Sequence, residues 1–351
     1  MWRFPFINTW GMKHGRMEKS IRFAKRKKSG VKMKASNVYI WLVGLMVVWG
    51  LNVVALKILV QSFDPIAMTS MRILTAGSGV LLILAFMKKW RMPTLREFVV
   101  ITGIGLFNVV GHHYFLSIGL TMTSAVNAGL ILGLIPILTA IAAMIFLRAR
   151  LTPLKLIGII IGFAGVALVV MAGSQGAFQI AAGDLFIFMA GLTQAISFVL
   201  IKKTSTSMSI VLLTGWMMMI GSVILMGISF ATEPGGFFSL LQGEGYQYAL
   251  FFSSAIFATC IGHMIYNNSI RLIGPSESAV FTNLNLLFSV AGAAILLNED
   301  VYIEQLLGFL FIVAGVVSGS GAIDHWIRSR KTRKIKLQEK DYQTEKHRHY
   351  S

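Results

Sequence analysis

The sequence predicts an all-α polytopic membrane protein with ten transmembrane helices, arranged as two inverted five-helix repeats. Three observations carry this prediction. The composition is apolar with few charges, ten apolar runs have membrane-crossing length, and one pair of equivalent loops reverses its charge between the two halves. Of 351 residues, 55% are hydrophobic and 13% charged, with a mean hydropathy of +0.71. A water-soluble domain carries about a quarter charged residues, so too little polar surface exists here to cover a soluble bundle. The net charge of +18 sits at the two ends and in a few short links, which removes the nucleic-acid reading that a basic soluble chain would invite. Cys260 is the single cysteine, so an internal disulfide and a zinc-thiolate site are both excluded.

The elements follow in order. Residues 1–37 form a basic arm, with "KHGRMEKSIRFAKRKKSGVKMK" and no apolar core of its own. It reads as a cytosolic arm ahead of a retained first helix, in reach of anionic lipid headgroups. The apolar runs are about 38–59, 66–87, 98–119, 123–147, 153–173, 184–201, 208–229, 247–270, 275–297 and 303–323, each long enough to cross a bilayer as a helix. Links such as "QSFDP", "TMT" and "RARLT" leave no room for a soluble domain. Glycines inside the runs let helices approach closely in a membrane. Pro136, in the middle of the fourth run, is expected to kink that helix. Residues 324–351 form a second basic tail, again cytosolic.

With the N-terminus in the cytosol, the inside links hold Lys88, Lys89, Arg91, Arg96, Arg148, Arg150, Lys202, Lys203 and Arg271. The outside links hold Asp64, Glu233, Glu244, Glu299 and Asp300, with no Lys or Arg. This is the positive-inside pattern throughout, and it places the protein in the cell membrane with both ends cytoplasmic. Residues 124–170 and 278–320 then read as copies. Both open with Ser-Ala-Val, at Ser124 and Ser278, and both carry G-x6-G, at Gly158 and Gly165 against Gly308 and Gly315. Gly111-His112 likewise matches Gly262-His263. Five helices per unit is an odd number, so the second unit enters from the opposite side. The loop "RARLTPLK" is basic and its counterpart "NEDVYIEQ" acidic, as inverted repeats require. The expected domains are therefore the arm 1–37, repeats 38–173 and 184–323, and the tail 324–351.

On these residues the chain resembles the drug/metabolite transporter superfamily, in its ten-helix EamA-type branch, over about residues 36–322. The opening "WGLNVVALKILVQSFDPIAMTSMRILTAG" resembles that family's signature at Trp49-Gly50, Lys57, Pro65 and Arg72. "LIPILTAIAAMIFLRARLT" resembles the fourth-helix signature around Pro136, and "AILLNEDVYIEQLLGFLFIVAGV" the last helix pair with Glu299. The chain departs where the first-half glutamate is replaced within Arg148-Ala149-Arg150, and no second-half proline matches Pro136. The resemblance implies a secondary transporter, and an exporter in direction. Its substrates would be small metabolites such as amino acids, or amphiphilic compounds.

Polar residues inside the runs are the candidate substrate path: Trp49, Asn52, Arg72, Asn108, His112, Asn127, Gln194, His263, Tyr266 and Asn283. Each also has a structural alternative, a hydrogen bond between helices. Lys57 and Arg72 either line an outward vestibule or snorkel to polar water, and an arginine in the path favours a carboxylate-bearing substrate. His112 and His113 point about 100° apart on a helix, so one is expected to face the cavity and the other to pack away. Imidazoles suit proton carriage near neutral pH. Trp216 joins Trp49 as a candidate aromatic wall, Asn285 follows Asn283, and Glu277 stands at the start of the ninth helix. No nucleophile-base pattern and no phosphate loop appears, so neither an enzyme nor a nucleotide-driven pump is expected. No cofactor and no metal are expected. The partners are a small-molecule substrate and membrane lipids, with room for protons as coupling ion and for a homodimer. Uptake of a similar metabolite is the alternative direction, and a non-transporting scaffold, which would have a dry interior, is the alternative class.

The topology is directly testable. With Cys260 replaced, cysteines introduced at Gln175 and Gly243 are expected to react with an impermeant thiol reagent outside intact cells, and those at Lys89 and Lys203 to stay unlabelled. The reverse pattern contradicts both the orientation and the inversion.

Overall fold

The computed structural model describes residues 35–148, 152–173, 181–205 and 207–319. Most of the N-terminal arm and the whole C-terminal tail expected from the sequence lie outside them. The described residues form α1 (Ala35–Ser62), α2 (Pro65–Phe86), α3 (Leu95–Met122), α4 (Ala125–Leu147), α5 (Pro153–Gly173), α6 (Ala182–Thr204), α7 (Ile210–Thr232), α8 (Gly245–Ile273), α9 (Pro275–Leu296) and α10 (Ile303–Gly319). Among them, eight helices are long and apolar enough to cross a membrane, and α5 and α10 contribute shorter apolar stretches, Leu156–Val169 and Ile303–Ser318. The helix surfaces expose large apolar side chains, among them Phe86, Ile160, Phe230 and Ile295. Such coverage is intolerable in water and suits hydrocarbon.

A helix end in a membrane leaves backbone groups that need partners, and at several ends the sequence supplies a side-chain cap. Here the end bearing Asp64, Glu233 and Glu299 is called the acidic end, and that bearing Lys89, Arg148 and Lys202 the basic end. The α3 N-terminus at the basic end carries a capping box between Thr94 and Glu97. At the acidic end, α2 starts with Pro65, and the Glu233 carboxylate, from beyond α7, accepts from the backbone N–H groups of Ile66 (3.0 Å) and Ala67 (2.8 Å). In the same way the Glu299 carboxylate, from beyond α9, accepts from Ala125 N and Val126 N, both at 2.9 Å, at the start of α4. A carboxylate over free N–H groups and a helix dipole contributes about 1 kcal/mol or somewhat more.

Lys57 does not snorkel to polar water, one of the two readings the sequence offered for it. Its Nζ donates to the carbonyl oxygens of Leu120 and Thr123, both at 2.7 Å, because the last carbonyls of α3 have no intrahelical partner and attract a cation. The second half repeats this contact. Lys202, near the end of α6, donates through Nζ to the carbonyl of Arg271, in the last turn of α8, at 2.7 Å. The two contacts join corresponding helices, at the acidic end in one half and at the basic end in the other.

The G-x6-G motifs face each other across α5 and α10. A Cβ on Gly165 would stand 2.7 Å from the Gly308 carbonyl oxygen, and one on Gly308 would stand 2.7 Å from that of Gly165. A Cβ on Gly315 would meet Gly162 N at 2.5 Å and the Gly158 carbonyl at 2.7 Å. Position 165 thus meets 308 while position 158 meets 315, so the two helices run antiparallel in a symmetric register. Only hydrogen in place of a side chain allows that approach.

Two helices are interrupted. In α4 a turn at Gly133 and Leu134 precedes a restart at Ile135 with Pro136 in the new first turn, which is the break that Pro136 predicts. In α9 the break falls at Phe281, between Pro275–Val280 and Thr282–Leu296. Both lie beside the cavity described below, where irregular backbone is tolerated.

Replacing Gly315 with Leu is expected to destabilise the protein by about 1–3 kcal/mol or more through overpacking, read as a lower Tm in detergent. Gly227→Leu is the control, since nothing lies within 4 Å of a Cβ there. Equal Tm values for the two variants would contradict the close α5–α10 contact.

Candidate functional site

The site begins with two departures from ordinary helix geometry. In α3, residues Leu106–Gly111 wind as a π-helix, and in α8 residues Ser254–Ile261 do the same. Each π segment ends at one of the Gly-His pairs singled out in the sequence, Gly111-His112 and Gly262-His263. A π turn inserts an extra residue and re-aims the side chains that follow, a device common at functional sites. Asn108 and Thr259 occupy the same place in the two segments, four residues before the histidine.

Both histidines face one cavity between the helices, of about 70 Å³, room for roughly five waters. Its wall draws on α1 to α4 and on α6, α8 and α9. Trp49, Asn52, Arg72, His112, Gln194 and His263, expected from the sequence, all line it. The sequence reading missed Thr259, Thr282 and His113, and left Asn285 out of the path. No aspartate or glutamate lines it.

The two neighbouring histidines do not divide as expected: His113 lines the cavity together with His112. His112 leans on α6, its Nδ1 3.0 Å from the Ala190 carbonyl. His113 turns toward α2 and α8, its ring 4.7 Å from that of His112 and 5.9 Å from that of His263. The cavity extends between those helices, so an angular step of about 100° leaves both residues on its wall.

Hydrogen-bond partners fix the ring tautomers. A carbonyl can only accept, so Nδ1 of His112 and of His263 carries hydrogen, the latter 3.1 Å from the Thr259 carbonyl. Nδ1 of His113 lies 3.4 Å from Nη2 of Arg72. Arginine can only donate, so His113 carries its hydrogen on Nε2. The Nε2 atoms of His113 and His263 have no partner among the described residues. The first is then a free donor and the second, in the neutral ring, a free acceptor.

Arg72 does not snorkel either. It is 1% exposed and turns inward. Its Nη1 donates to Thr259 Oγ1 at 2.7 Å and to Ser254 Oγ at 3.3 Å, while Nε finds no partner. The Thr259 hydroxyl donates in turn to the Ser254 carbonyl at 2.9 Å, which leaves its oxygen lone pairs toward the guanidinium. A π segment of the second half therefore holds the arginine of the first.

Four expected residues stand outside the wall. Asn108 donates to Ser197 Oγ at 2.8 Å and to Gln194 Oε1 at 3.4 Å, so it positions Gln194. Tyr266 forms a layer behind Trp49, with ring centroids 4.9 Å apart, and also packs on Phe198 at 4.6 Å. Asn127 accepts from Gln305 Nε2 at 2.7 Å near the acidic end. Asn283 is half-buried, two residues and about half a turn from the lining residue Asn285. Trp216 does not join Trp49 as a wall: its indole N–H donates to the Arg91 carbonyl at 3.2 Å, whereas that of Trp49 donates to the Ala258 carbonyl at 2.8 Å.

Comparison with known proteins agrees with this architecture. The EamA-like transporter family matches twice, over residues 36–171 and 181–318, so the cavity wall is drawn from both copies. The uncharacterized transporter YyaM of Bacillus subtilis is 30% identical over 300 residues, covering 83% of this chain and 96% of that protein. An uncharacterized transporter of Archaeoglobus fulgidus is 27% identical over 280 residues, covering 79% and 96%. A solved crystal structure with 18% identity superposes with a TM-score of 0.59 over 81% of this chain and 98% of its own, which is a likeness of fold. With two matched copies spanning most of its length and a cavity between them, the chain belongs to the EamA-like transporter family and is a membrane transporter.

Proposed function

We propose that the protein is a secondary transporter of the cell membrane that exports small metabolites by alternating access to its central cavity. The observation that carries this reading is a cavity walled by both family copies, in which Arg72, three histidines and the amides of Asn52, Gln194 and Asn285 stand among apolar side chains; a non-transporting scaffold with a dry interior would lack it. Three contacts support two inverted repeats of five spanning helices. Gly165 and Gly308 meet across antiparallel α5 and α10. Lys57 and Lys202 cap corresponding helices at opposite ends. The π segments precede His112 and His263 at matching places. In this reading the basic end faces the cytosol.

The acidic end is held by second-half carboxylates on first-half helices, through Glu233 and Glu299. Opening toward the outside requires one half to rock against the other, and these two caps are what such a movement breaks. In the sequence, Ala149 stands where the second half carries Glu299, so the first half has no carboxylate at that position to repeat the Glu299 cap.

Export is read by preparing right-side-out and everted vesicles and following uptake of labelled metabolites. Export predicts uptake into everted vesicles; uptake confined to right-side-out vesicles would reverse the direction. Coupling to protons has to pass through His112, His113 or His263, because the remaining charged wall residue is Arg72. Single His→Gln variants at the three positions retain polarity and lose titration near neutral pH. At least one is expected to fold normally and transport with a flat pH profile. Three profiles like that of the wild type would exclude proton carriage by this cluster.

A further inference from the structure

We propose that Arg72 is the docking point for the substrate's anionic group and that the cavity selects molecules bearing a carboxylate. This rests on the reading of the cavity as the transport site and names its substrate class. The guanidinium stays charged at any physiological pH, yet it is buried within the helix bundle. Its partners are two hydroxyl oxygens and a ring nitrogen, all neutral. The ion pair that the described residues form among themselves is Arg91–Glu97, at the basic end, and no carboxylate lines the cavity. A buried charge is retained at low cost only with a counter-ion, and here an incoming anion is the group that fits.

The unused hydrogen-bonding atoms fit the same ligand. Arg72 Nε and His113 Nε2, on adjoining helices, are donors without partners among the described residues; both are covered in this conformation, so a carboxylate engages them once the side chains over them turn aside. The unpartnered acceptors are His263 Nε2 and the amide oxygens of Asn52 and Asn285. They can receive an ammonium or hydroxyl from the rest of a small molecule. A single permanent cation matches a monoanion better than a doubly charged phosphate. The other intramembrane cation, Lys57, is occupied on the end of α3. A cation without a carboxylate meets Arg72 with like charge and is disfavoured.

The test uses the full-length protein in proteoliposomes with four probes: L-alanine, L-lactate, L-alaninamide and inorganic phosphate. Binding is read by calorimetry in detergent and movement by counterflow of the labelled probe. Alanine or lactate is expected to bind at least tenfold more tightly than alaninamide or phosphate. Alanine ahead of lactate would assign the acceptors to an ammonium, and lactate ahead of alanine to a hydroxyl. Arg72→Gln is expected to abolish that preference. Arg72→Lys, which keeps charge and loses the fork, is expected to weaken carboxylate binding about tenfold or more, and it supplies the reading if the Gln variant fails to fold. Equal binding of carboxylates and alaninamide, or a preference unchanged in both variants, would overturn the proposal while counterflow left the transport reading standing. Arg72-dependent carboxylate binding without counterflow would uphold the anion site and contradict transport. Absence of binding by every probe would overturn the carboxylate assignment, and absence of counterflow as well would count against both readings.

Discussion

The constraint on which this structure depends is that backbone hydrogen bonds must be closed within the protein when the solvent is hydrocarbon. It explains why the described membrane segments are helical, and it also explains where the exceptions sit. The break in α4, the break in α9 and the π segment of α8 border the central cavity, and the π segment of α3 ends at the lining residue His112. Elsewhere, helix ends are closed by side chains brought in from other helices. Glu233 and Glu299 serve two N-termini, and Lys57 and Lys202 serve two C-termini. The two glutamate contacts also tie one family copy to the other, so conformational change and backbone capping are linked. A movement that separates the halves at the acidic end must find other partners for those N–H groups, and water entering the opened vestibule is the natural replacement.

The cavity shows the complementary situation. Several of its polar side chains keep an atom without a partner. Among the described residues, thirteen buried side-chain atoms lack a hydrogen-bond partner, and five of them belong to wall residues: Arg72, His113, His263, Asn52 and Asn285. A buried polar atom without a partner costs about 1–3 kcal/mol. A fold that keeps five of them around one small space has arranged that space for a hydrated or polar occupant. Their order is bipolar: donors from Arg72 and His113 meet acceptors from His263 and the two asparagines. Trp49, backed by Tyr266 and Phe198, adds an apolar side to the same space.

Much of the fold was legible in the sequence because its cause is local. Ten apolar runs, short links and the sign of the link charges each follow from the membrane, and Pro136 marked the break in α4. The paired Gly-His motifs pointed to the site, and six of the ten proposed path residues line the cavity. What escaped was decided by side chains that cross between helices. Lys57 and Arg72 looked alike, as cations in apolar runs near one turn. One caps a helix end and the other enters the cavity, because orphan carbonyls lie beside the first and the α8 hydroxyls beside the second. Helical angles alone separated His112 from His113, yet a cavity bounded by α2, α6 and α8 takes in both. Glu233 and Glu299 read as loop charges, since nothing in a linear sequence shows which helix start they will meet.

The central claim is that two π segments, one in each half, aim polar side chains into a single water-accessible path. It is tested most directly by cysteine accessibility in a background lacking Cys260. Single cysteines at Asn52, Leu116, Gln194, Thr259 and Asn285 stand on the cavity wall, and those at Tyr266 and Asn283 stand behind it. A small water-soluble thiol reagent is predicted to label the wall positions in membranes and to leave the other two unmodified. Labelling that shows no distinction between the two sets, or that fails at every wall position, would contradict the account.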